Sequence, residues 1–334
     1  MNYIGSKFKL SSWIKEEISQ KVEPKNKIFC DLFAGTGIIG RVFKKDVKQV
    51  ISNDIEYYAY VLNRNYIGNH KNLKEKMEVI EYLNNLPLRD DGFIFNNYCS
   101  PANRLYFSDE NGKKIDTIRI EIEKFKDDKD LYYFLLASLI ESADKVANTA
   151  SVYGAFLKKL KKTAQKEMIL EPAIYEENEN EHLVTQKDAN EFIKEIKGDI
   201  LYLDPPYNSR QYGANYHLLN TIAEYKEFEP KGKTGLRDYY KSPWCQKGKV
   251  KRVFEDLIKN ADFEWIFMSY NNEGLLKSEY IKDIMSSYGE YYVIKRKYKK
   301  FKCKKNKKNL FFPFSEAIHS ETIEYLHILH KRKS

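Results

Sequence analysis

Asp204-Pro205-Pro206-Tyr207 follows the apolar run Gly198 to Leu203, and its four residue types suit one kind of chemistry. Two consecutive prolines fix their φ angles and remove two backbone donors, leaving a stiff loop with free carbonyl acceptors. The Asp204 carboxylate and the Pro205 carbonyl can each accept one hydrogen of a planar amine. Such an amine is a poor nucleophile because its lone pair is delocalised into the ring. The two acceptors favour a more tetrahedral nitrogen and stabilise the positive charge that develops as it attacks. Tyr207 offers a face on which a planar base can stack. The plainer alternative is a rigid loop in which Asp204 caps a neighbour and Tyr207 is packed.

A second group lies near the start of the chain. Asp31-Leu32-Phe33-Ala34-Gly35-Thr36-Gly37 closes the apolar run that begins at Lys27, and Gly35 to Gly40 fits the spacing GxGxxG. Glycines allow a turn too tight for a β-carbon, so a ligand can lie against the backbone at the carboxyl end of a strand. Asp54 ends the next apolar run, Gln49 to Asn53, where a carboxylate can accept both hydroxyl hydrogens of a ribose. A dinucleotide and an adenosyl methyl donor both satisfy these features.

Strands and helices must position these residues. Lys27 to Asp31 and Gln49 to Asp54 read as strands, separated by a helix that contains Ile38, Ile39, Val42 and Phe43. Ile55 to Ile67 has helical spacing, so the chain opens as a β-α-β-α unit, which implies a parallel sheet. Gly198 to Asp204 and Glu264 to Tyr270 read as buried strands, and Tyr291 to Tyr298 and Thr322 to Leu329 as a pair. The expected sheet is open and mixed at one edge. About 150 positions separate Asp54 from Asp204, far more than the ~30 residues of a βαβ unit. The excess is read as an insertion over 71–180, largely helical, with Leu131 to Val146 as a helix and the acidic stretch Glu176 to Glu181 as a solvated boundary.

Composition limits the function classes. The 334 residues suffice for one large domain or two smaller ones, and the net charge of +9 suits a polyanionic partner such as nucleic acid. Cys30, Cys99, Cys245 and Cys303 form no CxxC pair, so neither a disulfide framework nor a metal cluster is expected. No apolar run approaches the ~18 residues of a membrane span, and no signal peptide is read at Met1. A soluble cytoplasmic protein, associated with the nucleoid, is the expectation.

The motif around Asp31 resembles the D-x-F-x-G-x-G signature of the class I S-adenosylmethionine-dependent methyltransferases. Taken with Asp204 to Tyr207, and in this order, it resembles the α-ordered DNA adenine methyltransferases that include the Dam type. Asn208 to His217 departs from the Dam continuation and is similar instead to the FokI-like and NlaIII-like methyltransferases of type II restriction-modification systems. The resemblance implies an α/β fold: a Rossmann-like sheet, with 1–70 and 181–334 catalytic and 71–180 an inserted target-recognition region. It implies transfer of a methyl group from S-adenosyl-L-methionine to the N6 amine of an adenine flipped out of double-stranded DNA, with Asp204, Pro205, Pro206 and Tyr207 catalytic. Phe33, Ala34, Gly35, Thr36, Gly37 and Ile55 join Asp31 and Asp54 at the cofactor, and Asp188-Ala189 matches the motif whose acid binds the cofactor's adenine amine. Tyr3 and Lys7 match a segment that folds over the methionine end. Arg210, Gln211 and Tyr212 are expected at the DNA. A cognate restriction endonuclease would act on the same site without forming a stable complex.

Other readings remain open at this level. Proline-pair loops also serve some RNA base methyltransferases, and a catalytically dead relative would still bind DNA. Cytosine-amine enzymes usually begin the loop with Ser, so Asp204 favours adenine. The basic stretch Lys231 to Arg252 reads as a long loop over the DNA cleft, Lys295 to Lys308 as a groove-lining DNA contact or else a solvated hairpin or loop, and His217 as a packed residue rather than a general base.

Overall fold

The computed structural model describes residues 7–298 and 322–332. Strands form where the sequence is apolar on two sides. In β4 (Lys197–Leu203), Ile200 and Tyr202 face one apolar cluster, and Leu201 and Leu203 face another. The same alternation recurs in β1 (Ile28–Asp31), β2 (Gln49–Asn53) and β5 (Asp262–Asn271), as expected of strands covered on both faces. With β3 (Leu183–Thr185), β6 (Gly289–Tyr298) and β7 (Thr322–Lys331) they form one sheet in the order β3-β2-β1-β4-β5-β7-β6. The first five strands in that order are parallel, and β7 runs antiparallel to both its neighbours. This is a doubly wound, Rossmann-like sheet with a mixed edge.

Helices α1 (Ser11–Lys21) and α2 (Ile38–Phe43) cover one face through Ile14, Ile18, Ile39 and Phe43. The helices that follow β2 belong elsewhere. α3 (Tyr57–Asn63) leads through a π-helical turn into α4 (Lys76–Asn84), α5 (Phe93–Tyr98), α6 (Asp109–Ile122) and α7 (Lys129–Val146). The opposite face of the sheet is covered by α8 (Ala189–Phe192), α11 (Val250–Asn260) and α12 (Ser278–Ser286). Between these lie α9 (Tyr212–Asn215) and α10 (His217–Glu224). Among the described residues no helix is long and apolar enough to cross a membrane.

The helical unit has its own core around α7, whose Phe134, Leu135, Leu136, Leu139 and Ile140 are all fully buried. Tyr58 and Leu62 of α3 and Leu218 and Ile222 of α10 pack into that core, so helices that follow Asp54 and Asp204 in the chain are anchored in it. Residues 147–182 contain no helix or strand. Side-chain amides and hydroxyls replace the missing secondary structure as partners for the backbone. Asn111 accepts from the Met168 amide, Asn84 both accepts from and donates to Leu170, and Ser138 accepts from Ala173.

One buried cation joins this irregular segment to the sheet domain. Lys44, at the end of α2, donates from Nζ to the carbonyls of Tyr66 (3.0 Å), Asn69 (2.5 Å) and Glu176 (2.6 Å). Replacing Lys44 by Met leaves three carbonyls without their donor and should lower the unfolding free energy by about 3 kcal/mol in urea titrations. Lys15→Ala, which removes a half-exposed pair with Asp46, should change it by less than about 0.5 kcal/mol. Equal effects of the two substitutions would refute the anchoring role.

Candidate active site

The strand order reverses between β1 and β4, and open α/β sheets bind ligands outside the carboxyl ends of their strands at such a point. Register brings the candidate residues together there. Asp31 pairs with Ser52 on one side and Tyr202 on the other, so Asp54 and Asp204 each lie two residues beyond a partner of Asp31. These residues line one cavity, open to solvent on one side.

The glycine turn forms the cavity's floor. Gly35 and Gly37 have φ of 52° and 75°, in the left-handed region that a β-carbon disfavours. A β-carbon on Gly37 would also meet Asn63 Oδ1 at 2.5 Å. Asn63 reaches back from α3 and donates to the Gly35 carbonyl at 2.9 Å, while its own oxygen accepts from Ser52. The turn is thus shaped by glycine and braced from α3 by a buried amide.

Three acids converge on the cavity. Asp54 accepts from the Gly35 amide at 2.8 Å and the Glu56 amide at 2.9 Å, and burial still raises its pKa to about 6. Asp31 Oδ2 accepts from the Gly40 amide at 3.2 Å, and its buried Oδ1 has no hydrogen-bond partner. Burial, with Asp204 and Asp54 nearby, raises the Asp31 pKa to about 8. Asp204 is raised by burial to about 6, although Lys7 opposes the shift. Lys7 is buried and bridges Asp204 Oδ1 at 2.7 Å and Glu324 of β7 at 3.3 Å.

In the proline loop Pro205 is buried, while Pro206 and Tyr207 line the cavity. The Tyr207 carbonyl accepts from the Leu275 amide at 2.9 Å, which ties the loop's end to the segment after β5. Asp188 caps α8, accepting from the Asn190 and Glu191 amides with Oδ1. Gln211 uses both ends of its amide on the Ser242 backbone, accepting at 2.9 Å and donating at 3.2 Å. Tyr212 stacks on Tyr216 with ring centroids 6.0 Å apart, and Arg210 is exposed.

Of the residues singled out from the sequence, Lys7, Asp31, Phe33, Ala34, Gly35, Thr36, Asp54, Ile55, Asp188, Ala189, Asp204, Pro206, Tyr207, Gln211 and Tyr212 line this one cavity. Gly37, Pro205 and Arg210 are adjacent in sequence to lining residues. Tyr3 lies outside the described residues, as does most of the basic stretch Lys295 to Lys308. His217 is fully buried in the helical core with Nε2 3.0 Å from the Tyr153 carbonyl, and burial lowers its pKa to about 4.

Sequence reasoning overlooked three contributors. Asn53 donates to the carbonyls of Leu32 and Lys187 and accepts from the Lys187 amide, joining the ends of three segments. Buried Glu56 accepts from Asn220 of α10 at 2.6 Å. Tyr240, Ser242, Trp244 and Cys245 line the cavity from a loop that the sequence reading assigned only to the DNA side. Asn53 and Glu56 flank Asp54, which was the available signal.

The comparisons with known proteins agree with this geometry. A family model described as D12 class N6 adenine-specific DNA methyltransferase matches residues 3–300. The chain is 57% identical to the type II methyltransferase M.NlaIII of Neisseria lactamica, with 99% of each chain covered. It is 42% identical to M.CviAII of Paramecium bursaria Chlorella virus 1, covering 91% of this chain and 93% of that one. Identity to M.FokI of Planomicrobium okeanokoites is 41%, covering 91% of this chain and 50% of the relative. The chain belongs to the D12 class N6 adenine-specific DNA methyltransferases. It is a site-specific enzyme that methylates the N6 amine of adenine in DNA, and its sheet is that of a Rossmann-like methyltransferase.

The unpaired Asp31 oxygen has a measurable consequence. Between the usual aspartate pKa of 3.8 and about 8 the folded chain holds a proton that the unfolded chain releases, so stability contributed by this group falls as pH rises across that window. Asp31→Asn should therefore raise the melting temperature of the ligand-free protein by a few degrees at pH 8, with little change at pH 4. A lowered melting temperature at pH 8 would show that the carboxylate is already satisfied.

Proposed function

We propose that the cavity binds S-adenosyl-L-methionine and that Asp204, Pro205, Pro206 and Tyr207 hold the target adenine for methylation. Bound there, the cofactor supplies an electrophilic methyl group on a sulfonium. The observation that carries the reading is the convergence of Asp31, Asp54 and Asp204, with a buried unpaired carboxylate oxygen on Asp31, across the β1–β4 switch point. An acid orphaned in a cavity suits the cationic amino acid end of such a molecule. Asp54 suits the ribose hydroxyls, and Asp188 the adenine amine. Gly35, Thr36 and Gly37 let the backbone approach the ligand, with Phe33, Ala34, Ile55 and Ala189 as its apolar surroundings.

The residues of the loop act on the amine. The Asp204 carboxylate and Pro205 carbonyl accept its two hydrogens and favour the charge that develops on nitrogen. Lys7 keeps Asp204 ionised. Because the amine is inaccessible within a duplex, the base must be flipped out, and stacking on Tyr207 offsets the lost stacking by about 1–3 kcal/mol. Tyr3 joins Lys7 at the methionine end, and Arg210, Gln211 and Tyr212 border the DNA.

At the level of the whole chain, we take 1–70 and 181–334 as the catalytic part and 71–180 as the region that selects the target sequence in double-stranded DNA. The relatives named above are type II methyltransferases, and by that likeness this enzyme is the modification half of a type II restriction-modification system. It would protect cytoplasmic, nucleoid DNA from an endonuclease that reads the same site without binding the methyltransferase stably.

Mapping modified bases in the genome of a methylation-free host that expresses the protein should reveal N6-methyladenine at one short sequence. With tritiated cofactor, Asp204→Ala should reduce kcat at least about 100-fold while cofactor affinity stays within about threefold. In the wild type kcat/KM should rise with pH through about 6 as Asp204 ionises. Lys7→Met should move that rise to higher pH, since Lys7 depresses the Asp204 pKa. Label that appears only in RNA, or a pH profile unaffected by Lys7→Met, would contradict the corresponding assignment.

A further inference from the structure

The roof of the cavity is a short strap, residues 239–245, whose attachments are unusually specific for a surface loop. On one side it is bound to the segment after the proline loop. Gln211 grips the Ser242 backbone from both directions, and Cys245 Sγ lies 3.4 Å from the Arg210 carbonyl. A β-carbon on Gly213 would meet Tyr239 Cβ at 2.8 Å, so the strap approaches α9 as closely as glycine permits. On the other side the strap is bound to the Asp188 region. Trp244 Nε1 donates to Asn190 at 3.1 Å while its ring meets Phe33 edge-on at 5.1 Å. The Tyr240 hydroxyl donates to Asp188 Oδ2 at 2.6 Å.

That last bond is hard to explain as mere packing, because Tyr240 is 43% exposed and lines the cavity. Asp188 Oδ1 is engaged with the first amides of α8, which leaves Oδ2 as the atom available to a ligand. A carboxylate oxygen accepts two hydrogen bonds, so one from Tyr240 fixes its rotation and leaves one lone pair free. We infer that Tyr240 is a further residue of the cofactor site: its hydroxyl orients Asp188 Oδ2 toward the adenine amine, and the strap bearing it holds the cofactor's adenine end and the catalytic loop in one frame. The inference rests on the proposed role of Asp188. Tyr240 acts through that carboxylate and is a positioning residue.

Binding without turnover separates the possibilities. Calorimetry on the full chain would compare S-adenosylhomocysteine with its analogue lacking the 6-amino group. The wild type should prefer the amine-bearing ligand by about tenfold, as expected for a hydrogen bond to a charged acceptor. Tyr240→Phe should weaken S-adenosylhomocysteine about fivefold and narrow the preference to about twofold, leaving the affinity of the analogue without the amino group nearly unchanged. Gly213→Ala, which pushes Tyr239 and the strap away, should produce the same narrowing in a protein with an unchanged far-UV spectrum. A Tyr240→Phe protein with wild-type affinity and preference would overturn the inference. Asp188→Asn retains a good helix cap and tests the underlying assignment. Its loss of preference is required, and a retained preference would overturn the role of Asp188 itself, an outcome distinct from failure at Tyr240.

Discussion

The hydrogen-bond register of β1 between β2 and β4 is the constraint on which the site depends. Parallel pairing aligns the carboxyl ends of three strands, and each ends near an acid: Asp31, Asp54 and Asp204. A register shift of one residue in β1 would turn Asp31 to the opposite face and move Phe29 out of its cluster. The two faces are buried by different helices, so such a slip would send each side chain into a cluster shaped for another and mispack both. Burial that stabilises the sheet therefore also sets the geometry of the acids.

Gathering carboxylates in a poorly solvated crevice opposes folding. The raised pKa values of Asp31, Asp54 and Asp204 share burial as their largest cause. Lys7 compensates at Asp204 and Glu324, whereas backbone amides compensate at Asp54. The free chain thus carries an unsatisfied preference for positive charge and for hydrogen-bond donors in this crevice, as expected where binding energy is to be realised only with a ligand. The polar atom left unpaired at Asp31 lies within the site.

The helical unit contributes to this arrangement through its core rather than through sequence proximity. Both α3, which carries Asn63 beneath the glycine turn, and α10, which carries Asn220 against Glu56, are embedded in that core. Lys44 joins α2 to the turn after α3 through the carbonyls of Tyr66 and Asn69 and to the irregular part through that of Glu176. These buried polar contacts fix the glycine turn and the proline loop relative to each other without a continuous strand.

The strands, the glycine turn and the proline loop were legible because each writes a local pattern: apolar runs ending on acids, glycines at a turn, two prolines after a strand. The family was legible for the same reason, since its motifs are short and contiguous. The path of residues 147–182 was not, because its partners are amides and hydroxyls far along the chain, as with Met168 at Asn111, and such pairing leaves no periodicity. Nor was the pairing of Lys7 with Glu324, across the whole length of the protein. Tyr240 was visible only as part of a basic, aromatic loop, and its meeting with Asp188 depends on the strap folding across the sheet's edge. The sequence by itself determined the chemistry available and the order of its parts, because those reside in residue type and spacing. Only the tertiary structure decided which side chains share one cavity and which are satisfied elsewhere, because hydrogen-bond partners and burial are set by contacts between distant segments.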